Sequence, residues 1–404
     1  MTRWAAAGVI AFAATAGAAD KDEKPVVVSK DLEARAKKLI AEKPGSEAAL
    51  MADAILKGSQ LGPGEGWFKS PAQKRHDWKW LAARYGVAND KPITRKAANI
   101  REDLFDLIDR DGDEEITAAD LDWSPSSPFV RQMQMAAVLF RPADRDGNGR
   151  VSAEEWAAIF KRGGGKELSQ EGVRRLLFPK PPKSNGSNKE DDGPSPDVLL
   201  KGLFAGEIGS MQEGPKVGEK APDFTLKNAD GQQTIRLAEQ IGKRPVVLIF
   251  GNFTCGPFRS WGQTLAELAE THKDRATFLG VYVREAHPTD GWHMEQNERA
   301  GIALPQPKTN AERNAVAARC ERAMKWPYPL LVDDVNDAAG HAYSGMPARL
   351  YVIDEKGIVT YKSARGPFGF RPQEMEQALA LTLLEATPVG PASIGSSAPS
   401  APKN

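Results

Sequence analysis

Residues 245–261 read PVVLIFGNFTCGPFRSW, and this stretch decides the fold of the C-terminal half of the chain. Its first part, PVVLIFG, is a continuous apolar run of strand length, and the sequence from Trp261 to His272 continues with helical spacing. Cys255 therefore lies at a strand-to-helix turn. Backbone amides and the positive end of a helix dipole lower the pKa of a thiol there, so we expect Cys255 to be a reactive thiolate. Pro257 suits the first helical turn, where its missing N–H costs nothing.

The segments that follow supply the other elements of an α/β domain over 215–385. They are strand ATFLGVYV, helix AERNAVAARCERAM, strands PLLVD, ARLYVID and GIVTYKS, and the closing helix PQEMEQALALTLL. A central sheet with interleaved helices is the thioredoxin plan, so we predict a thioredoxin-like domain in the C-terminal half. Pro347 stands just before ARLYVID, where that fold usually carries a cis proline beside the thiol.

Four pieces of this domain, FGNFTCGPFR, VYVREAHPTDGW, PLLVDD and MPARLYVIDEKG, resemble the iodothyronine deiodinase family, particularly its bacterial members. The resemblance implies a thioredoxin-like fold and reductive chemistry in which a chalcogenolate attacks an electrophilic atom. In the vertebrate enzymes a selenocysteine takes the place of Cys255, and the matching acidic and imidazole residues here are Glu285 and His287. We expect His287 to orient or deprotonate the thiol, and Glu285 to fix the imidazole tautomer or relay a proton.

Other residues near the motif separate the chain from related thiol proteins. Phe258 stands three residues after Cys255, which excludes a CxxC disulfide exchanger, and Asn252 stands where typical peroxiredoxins have threonine. Cys320 lies within a helix pattern, where core packing and a resolving role are both open. Arg349 follows the proline and either stabilises a thiolate by its charge or forms a surface salt bridge.

Two acidic stretches in the N-terminal half have the twelve-residue spacing of calcium loops. Loop one is DRDGDEEITAAD at 109–120, and loop two is DRDGNGRVSAEE at 144–155. A hard cation needs six or seven converging oxygens, which alternating loop positions supply. Loop one offers Asp109, Asp111, Asp113, the carbonyl of Glu115, Thr117 and Asp120. Loop two offers Asp144, Asp146, Asn148, the carbonyl of Arg150, Ser152 and Glu155.

The segment 90–166 resembles the EF-hand family, so we predict an all-α EF-hand pair in the N-terminal half, with calcium as its cofactor. Loop one departs from the pattern twice: Glu114 stands where a glycine normally allows a positive φ, and Asp120 is shorter than the usual glutamate. We therefore expect loop one to bind calcium more weakly than loop two. Ile116 and Val151 occupy the positions through which two such loops normally pair as a short strand.

The remaining segments are predicted from composition. We assign 1–19 to a cleaved secretory signal peptide, 20–89 to a helical N-terminal segment, 167–214 to a linker and 386–404 to a disordered tail. The signal peptide predicts export to the periplasm or the extracellular space, with no membrane span after cleavage. The linker contains FPKPPKSNGSNKEDDGPSPD, which has little to bury. Such a linker transmits little force, so we expect calcium to leave the thiol chemistry unaffected.

Composition limits the remaining function classes. Basic and acidic residues number 54 each in the 404-residue chain, which argues against nucleic acid as a partner. A disulfide scaffold is excluded, since the chain has only two cysteines. We expect an exported thiol oxidoreductase with a small-molecule or thiol substrate, an external thiol reductant of unknown identity and no organic cofactor. Two alternatives stay open: a noncatalytic calcium-binding scaffold or interaction protein with this fold, and a peroxidase-like thiol enzyme.

Overall fold

The computed structural model of the protein describes residues 28–387, apart from 60, 63, 99, 163–166, 168, 178–193 and 210. The predicted signal peptide, the proline-rich centre of the predicted linker and nearly all of the predicted tail lie outside the described residues. In the part of the chain that is described, no helix is long and apolar enough to cross a membrane.

The N-terminal part of the chain is mostly helical. Side-chain caps begin several of its helices: Ser46 accepts a hydrogen bond from the N–H of Ala49, Asp77 from that of Trp80 and Ser195 from that of Val198. In chain order the elements are α1 (Lys30–Glu42), α2 (Glu47–Leu56), β1 (Gln73–Lys74), α3 (Trp78–Arg84), β2 (Ile93–Thr94), α4 (Arg95–Ala98), α5 (Glu102–Ile108), β3 (Glu115–Ile116), α6 (Pro128–Ala143), α7 (Ala153–Arg162), α8 (Gln170–Leu177) and α9 (Pro196–Phe204).

The C-terminal part alternates strands and helices. The helix Asn310–Met324 begins with a capping box, in which the side chains of Thr309 and Glu312 accept hydrogen bonds from each other's backbone N–H groups. The elements are β4 (Thr225–Asn228), β5 (Thr234–Arg236), β6 (Val246–Gly251), α10 (Gly256–Ser260), α11 (Gly262–His272), β7 (Thr277–Tyr282), α12 (Glu295–Arg299), α13 (Asn310–Met324), β8 (Leu330–Val332), α14 (Ala338–Tyr343), β9 (Arg349–Ile353), β10 (Val359–Lys362) and α15 (Pro372–Ala386).

A mixed sheet organises this C-terminal part, and in the described residues its strand order is β1-β10-β9-β6-β7-β8-β4-β5. Strand β6 pairs in parallel with β7 and antiparallel with β9, and β10 runs antiparallel to β9. All six residues of β6 are buried, which explains their continuous apolar character. Helix α15 packs against β9, β10 and α11, while α13 packs against β8. This mixed sheet with helices is what the thioredoxin prediction requires.

The segments predicted as separate from this domain take part in it. Strand β1 pairs with β10 and so forms one edge of the sheet, although it belongs to the predicted N-terminal segment 20–89. Helices α8 and α9 lie inside the predicted linker 167–214. Helix α9 buries Leu199, Leu200 and Leu203 in one apolar cluster with α1 and α2. Sequence analysis did not predict this cluster, because a short helix next to a proline-rich stretch has the composition of a linker.

A buried ion cluster fastens helix α2 to the sheet. Glu47, the first residue of α2, forms ion pairs with Arg349, at 3.3 Å, and with Arg365. Both arginines are fully buried. Burial by itself would raise the pKa of Glu47, but the two guanidinium charges lower it to about 2. The carboxylate therefore stays ionised between the two arginines.

The two acidic loops have different surroundings. Strands β2 and β3 pair antiparallel and place Ile116 of loop one opposite Ile93. The prediction that Ile116 pairs with Val151 is therefore wrong, and the N-terminal half is not purely helical. The β-branched residues Ile93 and Thr94 favour an extended strand, yet the sequence before them lacks the acidic pattern that would mark a partner loop. Loop two instead lies against helix α10 of the C-terminal domain.

Candidate active site

Cys255 lies where the sequence predicts, between the central strand β6 and helix α10. It is the residue immediately before α10, and its carbonyl accepts the N–H of Arg259 at 3.2 Å. Pro257 lies in the first turn of α10, as expected. The turn is closed by a bond from the N–H of Cys255 to the carbonyl of Asn252, at 3.3 Å. The thiol thus lies between a fully buried strand and a short helix.

The environment of Cys255 contradicts the expectation of a low thiol pKa. The residue is only 2% exposed, and burial raises its thiol pKa to about 11. The N–H of Phe258 and the charge of Arg259 oppose this rise, while the charge of Glu285 adds to it. Helix α10 has only five residues, so its dipole is short, and burial outweighs it. In this conformation Cys255 is a protonated thiol at neutral pH.

Glu285 holds the residue before Cys255. Its Oε2 atom accepts the N–H of Thr254 at 2.9 Å and lies 2.7 Å from the Thr254 hydroxyl, and its Oε1 accepts the hydroxyl of Tyr282. Burial raises the pKa of this carboxyl. The expectation that Glu285 fixes the imidazole tautomer of His287 is therefore wrong, because both its oxygens have other partners and His287 Nδ1 faces the carbonyl of Trp292. Glu285 instead fixes the geometry of the thiol turn. A proton relay through Glu285 stays a prediction.

His287 is a buried, neutral imidazole beside the same turn. Its backbone N–H donates to the Thr254 hydroxyl at 3.0 Å, and its Nδ1 lies 3.1 Å from the carbonyl of Trp292. A carbonyl accepts only, so Nδ1 carries the proton and Nε2 keeps its lone pair. Burial lowers the pKa of His287 to about 4; the Trp292 carbonyl opposes this, and Arg259 contributes to it. The imidazole is therefore an unprotonated base at neutral pH.

Asn252 joins the thiol turn to Pro347, which lies two residues before strand β9. Its Nδ2 donates to the carbonyl of Pro347 at 3.1 Å, and its Oδ1 accepts the N–H of Ala286 at 3.1 Å. The Met346–Pro347 peptide bond is cis. Sequence analysis identified Asn252 only as a difference from the peroxiredoxins. In the structure its side-chain amide connects the thiol turn to Pro347 and to Ala286, in the loop that follows β7.

Two predicted support residues have other surroundings. Arg349 does not act on the thiol as expected, because its guanidinium pairs with Glu47 and donates to the carbonyl of Glu213 at 3.1 Å. It is also fully buried, so the surface salt bridge alternative is wrong as well. Cys320 is a buried free thiol in α13, and Cys255 is free too. Burial raises the pKa of Cys320, and the charge of Glu285 adds to the rise.

Arg259 is the main site residue that sequence reasoning missed. It is 2% exposed, and its Nη1 donates to the carbonyl of Phe253. Its Nη2 donates to Asn297 at 2.8 Å, and Asn297 in turn donates to the carbonyl of Thr254 at 2.8 Å. One guanidinium thus holds both residues that precede Cys255. The available signal was a charged residue between Phe258 and Trp261, on a helix that packs inward.

Loop two gathers a donor set that suits a hard cation. Carboxylate oxygens of Asp144, Asp146 and Glu155 lie within 4.8 Å of one another. Backbone N–H groups of the loop orient them: Asp144 accepts those of Asn148 and Gly149 at 3.0 Å each. Burial raises the pKa of Asp144 to about 6, and the charges of Asp146 and Glu155 add to the rise. An all-oxygen set with crowded negative charge fits calcium.

Loop one has a similar backbone but a less complete cluster. Asp109, Asp111 and Asp113 gather as in loop two, but Asp120 is not part of that group. Both oxygens of Asp120 accept bonds inside the loop, from the N–H of Arg110 at 2.9 Å and from Thr117, as those of Glu155 do from Arg145 and Ser152 in loop two. Glu114 adopts φ +70°, the positive value expected at that position. The predicted carbonyl ligands, at Glu115 and Arg150, stay predictions.

Comparison with known proteins agrees with these features. A family model described as iodothyronine deiodinase matches residues 197–382, and one described as EF hand matches 135–161, which includes loop two. Thyroxine 5-deiodinase of Gallus gallus is 34% identical over 177 residues, covering 44% of this chain and 67% of that protein. The chain belongs to the iodothyronine deiodinase family. The resemblance inferred from the sequence is thereby confirmed.

Further relatives show how much of this deiodinase-family chain the likeness covers. Thyroxine 5-deiodinase of Aquarana catesbeiana is 32% identical over 184 residues, covering 45% of this chain and 65% of that protein. A solved thiol:disulfide interchange protein of the thioredoxin family, from Chlorobium tepidum TLS, is 17% identical, with 42% of this chain and 99% of that chain covered at a TM-score of 0.30. The deiodinase match begins inside α9 and ends inside α15.

Proposed function

We propose that the protein is an exported thiol-dependent reductase of the deiodinase family, with Cys255 as its nucleophile. One observation carries the proposal. The residue before Cys255 is held by Glu285, the acidic residue that the family motif picks out, through bonds of 2.9 and 2.7 Å. Burying a carboxylate costs free energy of folding. Because Glu285 is buried and its bonds hold the thiol turn, we infer that the position of the thiol matters for function.

The reaction is written for an iodinated aromatic substrate, R–I. The Cys255 thiolate attacks iodine and forms an S–I bond, while the electron pair of the broken C–I bond stays on carbon, which takes up a proton to give R–H. An external thiol then attacks the Cys255 sulfur, and iodide leaves. A second external thiol releases Cys255 and departs as a disulfide. The substrate gains two electrons, and the two external thiols supply them.

Formation of the thiolate requires a change from the buried state. His287 Nε2 is a free base, but with the pKa of Cys255 near 11 and that of His287 near 4, transfer of the thiol proton to the imidazole is strongly unfavourable. Greater exposure of Cys255 lowers its pKa and shifts this balance. We therefore expect the turn to open, or a bound substrate to reorganise it, before the chemistry begins.

The same proposal includes calcium in loop two. Asp144, Asp146 and Glu155 would hold the ion. Asn148, the carbonyl of Arg150 and Ser152 complete the set predicted from the sequence. Calcium bound there would neutralise the crowded carboxylates and fix the loop conformation. Loop one would bind calcium more weakly, through its own aspartates.

Turnover assays test the thiol mechanism. Iodinated phenol, a peroxide and a disulfide are supplied in parallel with dithiothreitol as the external thiol. We expect Cys255→Ser to abolish turnover of whichever substrate is used, since a hydroxyl at this site is not comparably ionisable. Cys320→Ser is the matched control and retains turnover if Cys320 only packs in the core. Activity that survives Cys255→Ser would end the thiol mechanism, and activity confined to peroxide would favour the peroxidase-like alternative.

Export rests on the N-terminal sequence, in which Arg3 precedes an apolar run that ends in small residues. We expect cleavage after Ala18 or Ala19. N-terminal sequencing of the protein recovered from the periplasm or the medium tests this. A chain that keeps Met1 and stays inside the cell would contradict export.

One observation favours a second candidate, a noncatalytic calcium-binding scaffold. Cys255 is as deeply buried as an ordinary core cysteine, and its raised pKa suits packing rather than attack. Alkylation at neutral pH distinguishes the two functions. If Cys255 reacts no faster than Cys320 and no substrate turns over, the scaffold function is favoured.

A further inference from the structure

Loop two rests directly on the helix that follows Cys255. The carbonyl of Gly147 accepts the Nε–H of Arg259 at 3.1 Å. Gly149 lies so close to the same residue that an added Cβ would be 2.1 Å from the Arg259 carbonyl oxygen. A side chain at position 149 would therefore force the two segments apart. The expectation that calcium has no route to the thiol assumed that only the linker joins the two parts, and this contact contradicts that assumption.

Arg259 connects this contact to the thiol turn. The three nitrogen atoms of its guanidinium face three groups: Nε the loop two carbonyl, Nη1 the carbonyl of Phe253, and Nη2 the side chain of Asn297. Asn297 extends the link to the carbonyl of Thr254. Loop two and the thiol turn are therefore held by one buried, planar guanidinium group. It cannot move toward loop two without breaking its bonds to the thiol turn, or the reverse.

We propose that Arg259 is a positioning residue through which calcium occupancy of loop two sets the exposure of Cys255. The proposal deepens the proposed function and rests on it, because the turn in question carries the proposed nucleophile. The carboxylates of Asp144, Asp146 and Glu155 lie within 4.8 Å of one another, so their like charges favour an opened loop unless a cation lies among them. An opened loop takes the Gly147 carbonyl away from Arg259 and loosens the turn.

Loop one supplies the internal control. Its glycine at the equivalent position, Gly112, has nothing within 4 Å of an added Cβ, whereas Gly147 has Arg259 Nε and Ala300 Cβ at 3.3 Å. Loop one is attached elsewhere, since Gln377 of α15 donates to the carbonyl of Asp120 at 2.9 Å. Calcium at loop one should therefore leave the thiol turn unchanged.

The test measures alkylation of Cys255 in the full-length protein by iodoacetamide, with the modified peptide quantified by mass spectrometry in calcium and in chelator. We expect calcium to slow alkylation of Cys255 about tenfold in the wild type and in Asp120→Asn, and to have no effect in Glu155→Gln. These two substitutions change the same position of the two loops. Cys320 in the same sample is the internal reference and reacts at one rate throughout.

Wild-type Cys255 that reacts equally fast in calcium and chelator would overturn the proposal. So would a calcium effect that persists in Glu155→Gln or disappears in Asp120→Asn. The readout is not turnover, so the coupling can be present in a protein that is inactive toward every substrate tried. Conversely, loss of the coupling leaves the Cys255→Ser result, and with it the proposed function, intact.

Arg259→Lys tests the route itself. Lysine keeps the charge but cannot reach three partners in one plane, so Cys255 alkylation should become insensitive to calcium. Linkage requires a reciprocal effect, and calcium affinity of loop two, measured by isothermal titration without substrate, should fall about tenfold. Wild-type behaviour in both measurements would exclude Arg259 as the link.

If Arg259→Lys does not fold, Asn297→Ala replaces it. That change removes the link to Thr254 but leaves the bond from Arg259 to Gly147. The calcium effect on Cys255 should shrink several-fold while calcium affinity changes little. An undiminished calcium effect in Asn297→Ala would overturn the route through Arg259.

Discussion

Loop one and loop two share a sequence pattern, yet the structure uses them differently. Loop one pairs through Ile116 with Ile93 and has a core in common with α15, the last helix of the described residues. Loop two has no such strand pairing in the described residues, and its glycines lie against Arg259 beside the thiol. Ligand spacing reports which ion a loop can hold. Its neighbours decide what the ion can influence, and in this molecule the neighbours differ.

The largest expected effect comes from closing the space between loop two and α10. Gly149→Ala strains a residue at φ +79° and places a Cβ 2.1 Å from a backbone oxygen. We expect it to lower the free energy of unfolding by about 4 kcal/mol, from backbone strain and overpacking together. Gly112→Ala, strained at φ +71° in open space, should cost only about 1 kcal/mol. Denaturant unfolding of both variants measures the difference, and equal losses would refute the docking of loop two.

A pH titration tests the burial of His287 beside the thiol turn. The pKa of His287 falls from 6.5 to about 4 on folding, so the folded state resists protonation. The stability from this neutral form is complete above pH 6.5 and is lost as the pH falls toward 4, by up to about 3 kcal/mol. His287→Gln should therefore lose less stability over this range than the wild type. Thermal melts from pH 7 to 4 measure this, with exposed His293→Gln as control. Parallel curves for wild type and His287→Gln would contradict the burial of His287.

Removing the last ligand of each loop separates calcium binding from folding. At a calcium concentration one hundred times the dissociation constant, binding stabilises a protein by about 2.7 kcal/mol. Glu155→Ala should abolish most of the calcium-dependent rise in melting temperature. Asp120→Ala should instead lower the melting temperature with or without calcium, because Asp120 is 1% exposed, whereas Glu155, which accepts the equivalent bonds from Arg145 and Ser152, is only half-buried. Calorimetry in calcium and in chelator distinguishes the two patterns. A calcium response that survives Glu155→Ala would remove loop two as the main site.

The smallest effect concerns the irregular position of loop one. Glu114 adopts φ +70°, which a glycine adopts without strain. Glu114→Gly should favour the loop conformation by about 1 kcal/mol and tighten calcium binding to loop one about fivefold. The lost contact to Arg95 matters little, since the Glu114 side chain is 65% exposed. Titration calorimetry in a Glu155→Gln background isolates loop one. Unchanged affinity would mean that its weakness has another cause, such as the short Asp120.

Local patterns predicted local geometry well. The apolar run of β6 and the proline at Pro257 predicted the turn at Cys255, and the acidic spacing predicted both loops, because each depends on residues close in sequence. Partners distant in sequence were missed. Arg349 follows the cis proline as expected, but its charge is directed at Glu47, some three hundred positions earlier. Glu285 was selected by its motif, yet its partner is Thr254 rather than His287. Burial also raises the pKa of Cys255, whereas the sequence predicted a lowered one. A single sequence does not show how deeply a turn is buried.

The ion cluster around Glu47 bears on how such a chain could have been assembled in evolution. A polypeptide that began where the deiodinase match begins would keep Arg349 and Arg365 in the interior but lack the carboxylate between them, and it would also lack strand β1. Two unpaired interior cations are severely destabilising. The deiodinase-family domain therefore depends on the segment before the calcium loops, and recombination could not add or remove that segment without loss of stability. Any exchange of parts with another gene would have to transfer α2 together with the sheet, or replace both arginines in the same step.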